Sequence, residues 1–165
     1  MPRLTFAPTI HKAAITAAAA AMVLGLMQTP AQAQNKEVIW LDTNTRIEAG
    51  QRALRAGDAE RAIRLINKGL KGDMSDRQRA VALNNLCIAY EMAGDIDAAI
   101  EACDAALELR PNWWLAFNNR ANAHYAGGDY LAALGDYETA LELNPGSKIL
   151  AKNIALVESR YTASK

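Results

Sequence analysis

Gly94-Asp95-Ile96-Asp97-Ala98-Ala99-Ile100-Glu101-Ala102-Cys103-Asp104-Ala105-Ala106-Leu107-Glu108-Leu109-Arg110-Pro111 returns 34 residues later as Gly128-Asp129-Tyr130-Leu131-Ala132-Ala133-Leu134-Gly135-Asp136-Tyr137-Glu138-Thr139-Ala140-Leu141-Glu142-Leu143-Asn144-Pro145. The glycine-aspartate pair, the paired alanines, the Ala-Leu-Glu-Leu run and the proline all fall in one register, and Asn85 falls on Asn119. A weaker third copy stands 37 residues upstream of the first stretch: Gly57-Asp58 on Gly94-Asp95, Ala62-Ile63 on Ala99-Ile100, Leu70 on Leu107. The three extra residues fall in Lys71-Gly72-Asp73-Met74-Ser75, which has the glycine, aspartate and serine of a loop.

Each copy reads as two helices. Leu83, Leu86, Cys87 and Tyr90 recur at helical spacing before Gly94, and Ile96, Ala99, Ile100, Cys103, Ala106 and Leu107 do so after it. Gly94 can take the left-handed conformation that closes a helix, and Asp95 can cap the free amides of the next. Pro111 and Pro145 mark the junctions between copies. Ser75 with Gln78 resembles a capping box opening the long helix of the second copy.

The 34-residue period, the Gly-Asp joint, the small Ala99/Ala133 and Ala106/Ala140, and Pro111/Pro145 resemble the tetratricopeptide repeat. Asn118-Asn119-Arg120-Ala121-Asn122-Ala123-His124-Tyr125 resembles a common bacterial version of it. The resemblance implies an all-α solenoid of about three hairpins: a degenerate repeat over 43–76, further repeats over 80–113 and 114–147, and a capping helix over 148–162. The first copy keeps the small residues Gly50, Ala62 and Gly69 but has Arg46 where Leu83 and Phe117 stand later, so it fits a frayed or capping element. Small residues let helix axes approach to the near end of the ~8–10 Å range. A single hairpin cannot bury its own apolar face, so about three copies are needed. In the closing helix, Ile149, Leu150, Ile154, Leu156 and Val157 supply apolar surface while Lys148, Lys152, Glu158 and Arg160 face water.

The same resemblance places the first helix of each pair on a concave wall. The groove candidates are Ile47, Glu48 and Gln51, then Asn84, Asn85 and Ile88, then Leu115, Asn118, Asn119, Asn122 and Tyr125, and finally Lys152 and Asn153. Asn85, Asn119 and Asn153 stand 34 apart. A carboxamide both donates and accepts, so such a ladder can clamp an extended peptide or the polar side of a bound helix. It can equally hold neighbouring helices together. Relatives that grip acidic chaperone tails use Lys, Arg and Asn on these helices. Here only Asn85 fits that pattern, whereas Ile47, Gln51, Leu115 and Asn119 do not. The expected ligand is therefore not recognised mainly by a terminal carboxylate.

Outward from the repeats, residues 1–33 read as a secretory signal: Arg3 and Lys12 with no acid, the apolar run 13–27, then Ala31 and Ala33 before a cleavage point at Gln34. The rival reading is an uncleaved anchor, for which the run is short of the ~20 residues a span needs. A lead-in follows over 34–42, with Trp40 placed to fold back on the first copy. Removing 1–33 leaves 16 basic and 18 acidic side chains, a balance without the basic footprint of a nucleic-acid binder. The expectation is a periplasmic or secreted protein, off the membrane after processing and monomeric or weakly self-associating.

Cys87 and Cys103 are the only cysteines, one on each helix of the second copy. In an oxidising compartment they can bridge, closing a loop of about 16 residues worth roughly 3 kcal/mol. The alternative is two buried thiols packing as small apolar groups. Two cysteines alone make no metal site. His124 takes the place of Tyr90 and reads as a packing residue; of Trp113 and Trp114, one is expected to pack between repeats, while the other can pack as well or be exposed to a partner. No phosphate loop, metal-ligand spacing or nucleophile-base set appears, and the glutamates at 101, 108, 138 and 142 fit a solvated face. Neither catalysis nor a cofactor is expected. The chain reads as a module that binds a peptide or protein segment, the alternative being a self-associating scaffold of the cell envelope.

Overall fold

A computed structural model describes residues 43–165. The expected signal peptide, the lead-in and Trp40 lie outside the described residues. Among those described there are seven helices and no strand. They are α1 (Thr43–Arg55), α2 (Ala59–Gly69), α3 (Asp76–Ala93), α4 (Ile96–Leu109), α5 (Trp114–Ala126), α6 (Tyr130–Leu143) and α7 (Lys148–Ala163). They pair as hairpins α1–α2, α3–α4 and α5–α6, with α7 closing the stack against α6. The leading helices α1, α3 and α5 pack side by side, and each trailing helix touches the leading helix that follows it.

The repeated Gly-Asp joint does in each hairpin what its chemistry allows. Gly57, Gly94 and Gly128 have φ of 76°, 83° and 83°, a region an L side chain rarely enters. The next residue then caps the trailing helix: Asp58 Oδ1 accepts from the amide of Arg61, Asp95 from Ala98 and Asp129 from Ala132. Ser75 and Gln78 form the reciprocal capping box at the start of α3. The longer loop before α3 is pinned by Arg79, whose guanidinium donates to the carbonyls of Leu70 (3.0 Å) and Gly72 (3.5 Å).

The hairpins differ at one crossing point. Residues 16 apart meet there in each, and the three pairs are Gly50/Ile66, Cys87/Cys103 and Ala121/Tyr137. Cys87 and Cys103 are joined as a disulfide with Cα atoms 5.3 Å apart, both fully buried. Tyr137 is 3 % exposed and lies in one buried cluster with Ala121. At Gly50 a Cβ would stand 2.5 Å from Cγ1 of fully buried Ile66. Size is thus traded across the joint: nothing against a branched aliphatic, sulfur against sulfur, a methyl against a phenol.

One prediction arises here. Gly50→Ala improves helix propensity by about 1 kcal/mol, yet it forces a β-branched neighbour with few rotamers to move. Overpacking of this kind costs about 1–3 kcal/mol, so the variant melts lower. Adding Ile66→Ala opens the space, so thermal melts should show the double variant losing less than the sum of the singles.

Trp113 packs at the joint formed by Ala106, Leu107 and Ala116, with the Arg110 guanidinium 4.2 Å from its ring centroid. Trp114 packs against the cluster of the last hairpin and α7. Both tryptophans are half-buried and pack, so neither is left free on the surface. The closing helix buries Leu150 and Val157 but leaves Ile149 69 % and Leu156 48 % exposed.

Candidate functional site

Two neighbouring seams run between the leading helices, and their side chains treat them differently. Between α3 and α5 the asparagines bond to one another. Asn119 Nδ2 donates to Asn84 Oδ1 at 3.0 Å, and Asn118 Nδ2 donates to Asn119 Oδ1 at 3.1 Å. Asn84 is only 6 % exposed. It sits inside the wall, where its amide is needed by α5, and offers no surface to a groove ligand. Asn122 Oδ1 accepts from the hydroxyl of Tyr137, tying α5 to α6. Tyr125 stacks obliquely on Tyr130, ring centroids 5.7 Å apart. Four of the expected groove residues on these helices thus hold helices together. Leu115 is 38 % exposed at the start of α5, and Asn153 is half-buried on α7 beyond the packed trio of leading helices.

Between α1 and α3 one side-chain bond crosses, from Gln78 Nε2 to Asn44 Oδ1 at 3.3 Å, and the seam forms two clefts. One cleft of about 390 Å³ is lined by Ile47, Met74 and Val81, with Asn44, Glu48, Arg77 and Gln78 around them. A second, of about 420 Å³, is lined by Leu54, Ile88 and Met92, with Gln51, Arg55 and Asn85. Of the expected site residues, Asn85 and Ile88 line this opening, as do the further groove candidates Ile47, Glu48 and Gln51. Asn85 Nδ2 is buried and has no acceptor among the described residues. An unmet buried donor costs about 1–3 kcal/mol. Met74, which sequence reasoning left in a loop, comes from the three-residue insertion; the inserted loop helps to build the first cleft.

Sequence reasoning also passed over a charge cluster behind the wall. Arg120 Nε and Nη2 donate to the two oxygens of Asp136, at 2.8 and 2.6 Å, and Nη1 donates to Asp104 Oδ1. One guanidinium on α5 thereby joins α4 and α6. The bonds to Asp136 hold Arg120 charged well above its ordinary range; burial opposes them and Asp104 adds to them. Asp136 is 8 % exposed and also lies 3.8 Å from His124 Nε2. The signal for this cluster was in the register. Arg120 and Asp136 stand where Leu86 and Ala102 stand one repeat earlier, an apolar pair replaced by an ionic one.

Tyr137 gives a second prediction. Burial, then the charges of Tyr125 and Glu91, push its phenol up from 10 to about 12. A raised phenol pKa means that the folded state keeps its proton where the unfolded state has lost it. The stabilisation is complete below pH 10 and falls as pH rises towards 12. Denaturant titrations should show roughly 2 kcal/mol lost across that window, with Tyr137→Phe removing the excess slope relative to the parent.

The described residues contain no group of three or more His, Cys, Asp or Glu that could hold a metal ion, and no helix among them is long and apolar enough to cross a membrane. A family model, the tetratricopeptide repeat, matches residues 80–112 and 114–147. The fold is similar to the first such domain of human RPAP3, at 23 % identity and TM-score 0.68, covering 73 % of this chain and 93 % of that one. It is also similar to the second domain of human RPAP3 in complex with an HSP70 peptide, at 25 % identity and TM-score 0.62, covering 70 % and 98 %. The corresponding domain of Sgt2 from Aspergillus fumigatus is 19 % identical with TM-score 0.66, covering 74 % and 80 %. The sequence matches none of the curated proteins.

Proposed function

This chain being a tetratricopeptide repeat protein, we propose that it is a non-catalytic interaction module that holds a peptide or protein segment on the face of its leading helices. One observation carries this reading: the two clefts along the α1–α3 seam, each lined by apolar side chains from both leading helices with polar groups around them. The groove is narrower in its use of asparagine than a full ladder: Asn85 contacts the ligand, while Asn84, Asn118, Asn119 and Asn122 stiffen the wall behind it. The N-terminal segment, read as a signal for export, makes the working place periplasmic or extracellular.

A photoreactive residue tests this. Placed at Ile88 it should capture the partner, whereas the same residue at Glu101 on α4 should not. Equal capture from both positions would remove the groove from the account.

The second reading is self-association as an envelope scaffold. It is supported by Ile149 and Leu156, seven residues apart and both exposed on the closing helix. Light scattering across concentration separates the two, since a strict monomer leaves only the first.

A further inference from the structure

We propose that the cleft where α6 turns into α7 is a docking site for a helical segment of a partner protein that presents an aromatic side chain and, three residues on, an arginine. The site is separate from the α1–α3 clefts and does not rest on the reading given to them.

The repeat supplies the comparison. α7 packs on α6 as α5 packs on α4, so each position of the later seam has a counterpart 34 residues earlier. A cleft of about 470 Å³ beside α6 and the turn into α7 is lined by Glu138, Leu141, Glu142 and Pro145. Their counterparts are Asp104, Leu107, Glu108 and Pro111, and in the earlier seam that place is filled. Leu107 lies in a buried cluster with Ala106 and Ala116, and Trp113 and Phe117 pack against it. Arg120 donates to Asp104, with its guanidinium 5.4 Å from the ring centroid of Phe117. The later seam keeps the floor and the rim but loses the filling. Ser147, Ala151 and Ile154 stand where Trp113, Phe117 and Arg120 stand one repeat earlier. Ala151 is exposed, whereas Phe117 is half-buried.

What the earlier seam has and the later one lacks defines the occupant. Leu141 and Pro145 offer an apolar floor that a ring can cover. Glu138 and Glu142 stand one turn apart on the rim, both exposed and neither in an ion pair among the described residues. Their charge favours a basic partner and opposes an acidic one. Phe117 and Arg120 are three residues apart on one helix, so ring and guanidinium share a face. A partner helix with that spacing brings both groups at once. Arginine fits better than lysine, because a guanidinium can lie over a ring and still donate in its own plane to a carboxylate.

The test uses the full folded chain and an end-blocked, lactam-bridged alanine-rich helix carrying one phenylalanine and an arginine three residues on, followed by fluorescence anisotropy. The peptide should bind, and replacing its phenylalanine by alanine should abolish binding. Glu138→Lys should weaken it about tenfold, and a peptide with glutamate in place of arginine should recover affinity for that variant. Ala151→Phe places a ring where Phe117 has one and should block the peptide. Both altered positions are exposed, so these variants should melt with the parent. Ile88→Glu, in the α1–α3 seam, should leave the peptide's affinity unchanged. A peptide that ignores Glu138→Lys and Ala151→Phe, or that is lost with Ile88→Glu, does not use this cleft, and the proposal is then wrong. If the peptide fails to bind and Glu138→Lys instead disperses a self-associated form of the parent in light scattering, the occupant is a second copy and the proposed partner class is overturned.

Discussion

Arg120→Leu should lower the unfolding free energy by about 3–5 kcal/mol, the usual cost of removing one partner from a buried ion pair. The reason lies with what is left behind. Asp136 is 8 % exposed and receives both of its direct guanidinium bonds from Arg120. Without them its carboxylate oxygens are left in a poorly hydrated place without their donors. Asp104 suffers less, because about half of its side chain already faces water. A second substitution makes the prediction sharper. Arg120→Leu with Asp136→Ala installs the pair that the protein itself uses one repeat earlier, Leu86 with Ala102. Replacing a buried ion pair by apolar groups of fitting volume is often neutral or better. Chemical denaturation should therefore find the double variant close to the parent and well above the single one. A double variant as unstable as Arg120→Leu would show that the cluster contributes something the apolar pair cannot.

Loss of the Cys87–Cys103 bond should have the second-largest effect. The bond closes a loop across 16 positions, and cross-linking a loop of that size stabilises by about 3 kcal/mol through the unfolded chain. For a domain of this length, one kcal/mol shifts the melting temperature by roughly 4 °C or more. Reductant should therefore lower it by about 10–15 °C. Cys87→Ala with Cys103→Ala should reproduce most of that loss and make the melt indifferent to reductant. A melt that reductant leaves unchanged in the parent would mean that the two sulfurs contribute only packing.

The hairpins were legible in the sequence because local rules and the repeat agree. Gly94 and Asp95 specify a left-handed joint and a cap by themselves, and the same pair at 57–58 and 128–129 removes the ambiguity. The role of the asparagines was not legible. Asn84, Asn85 and Asn119 are chemically identical, and only the approach of α5 to α3 decides that the first is taken by the third while the second is left unmet. Which of the groove candidates share a cleft was not legible for the same reason. The Asn119–Asn84 bond ties the seam that has the most asparagine, whereas the seam beside the weakest repeat forms two clefts. The Arg120 cluster could have been found: a charged pair in the register of an apolar one is visible without coordinates, provided that the partner helices are compared position by position.

Tandem copies of similar sequence carry a risk during folding, since a helix from one copy can pair with the counterpart of its true neighbour. The three crossing points guard against this. A phenol arriving opposite Cys87 would find no room beside sulfur, an isoleucine opposite Ala121 would leave a void, and only one pair can be locked covalently. Each leading helix thus recognises its own follower by the volume it leaves, and a mispaired intermediate has a lasting defect that lets it come apart and try again.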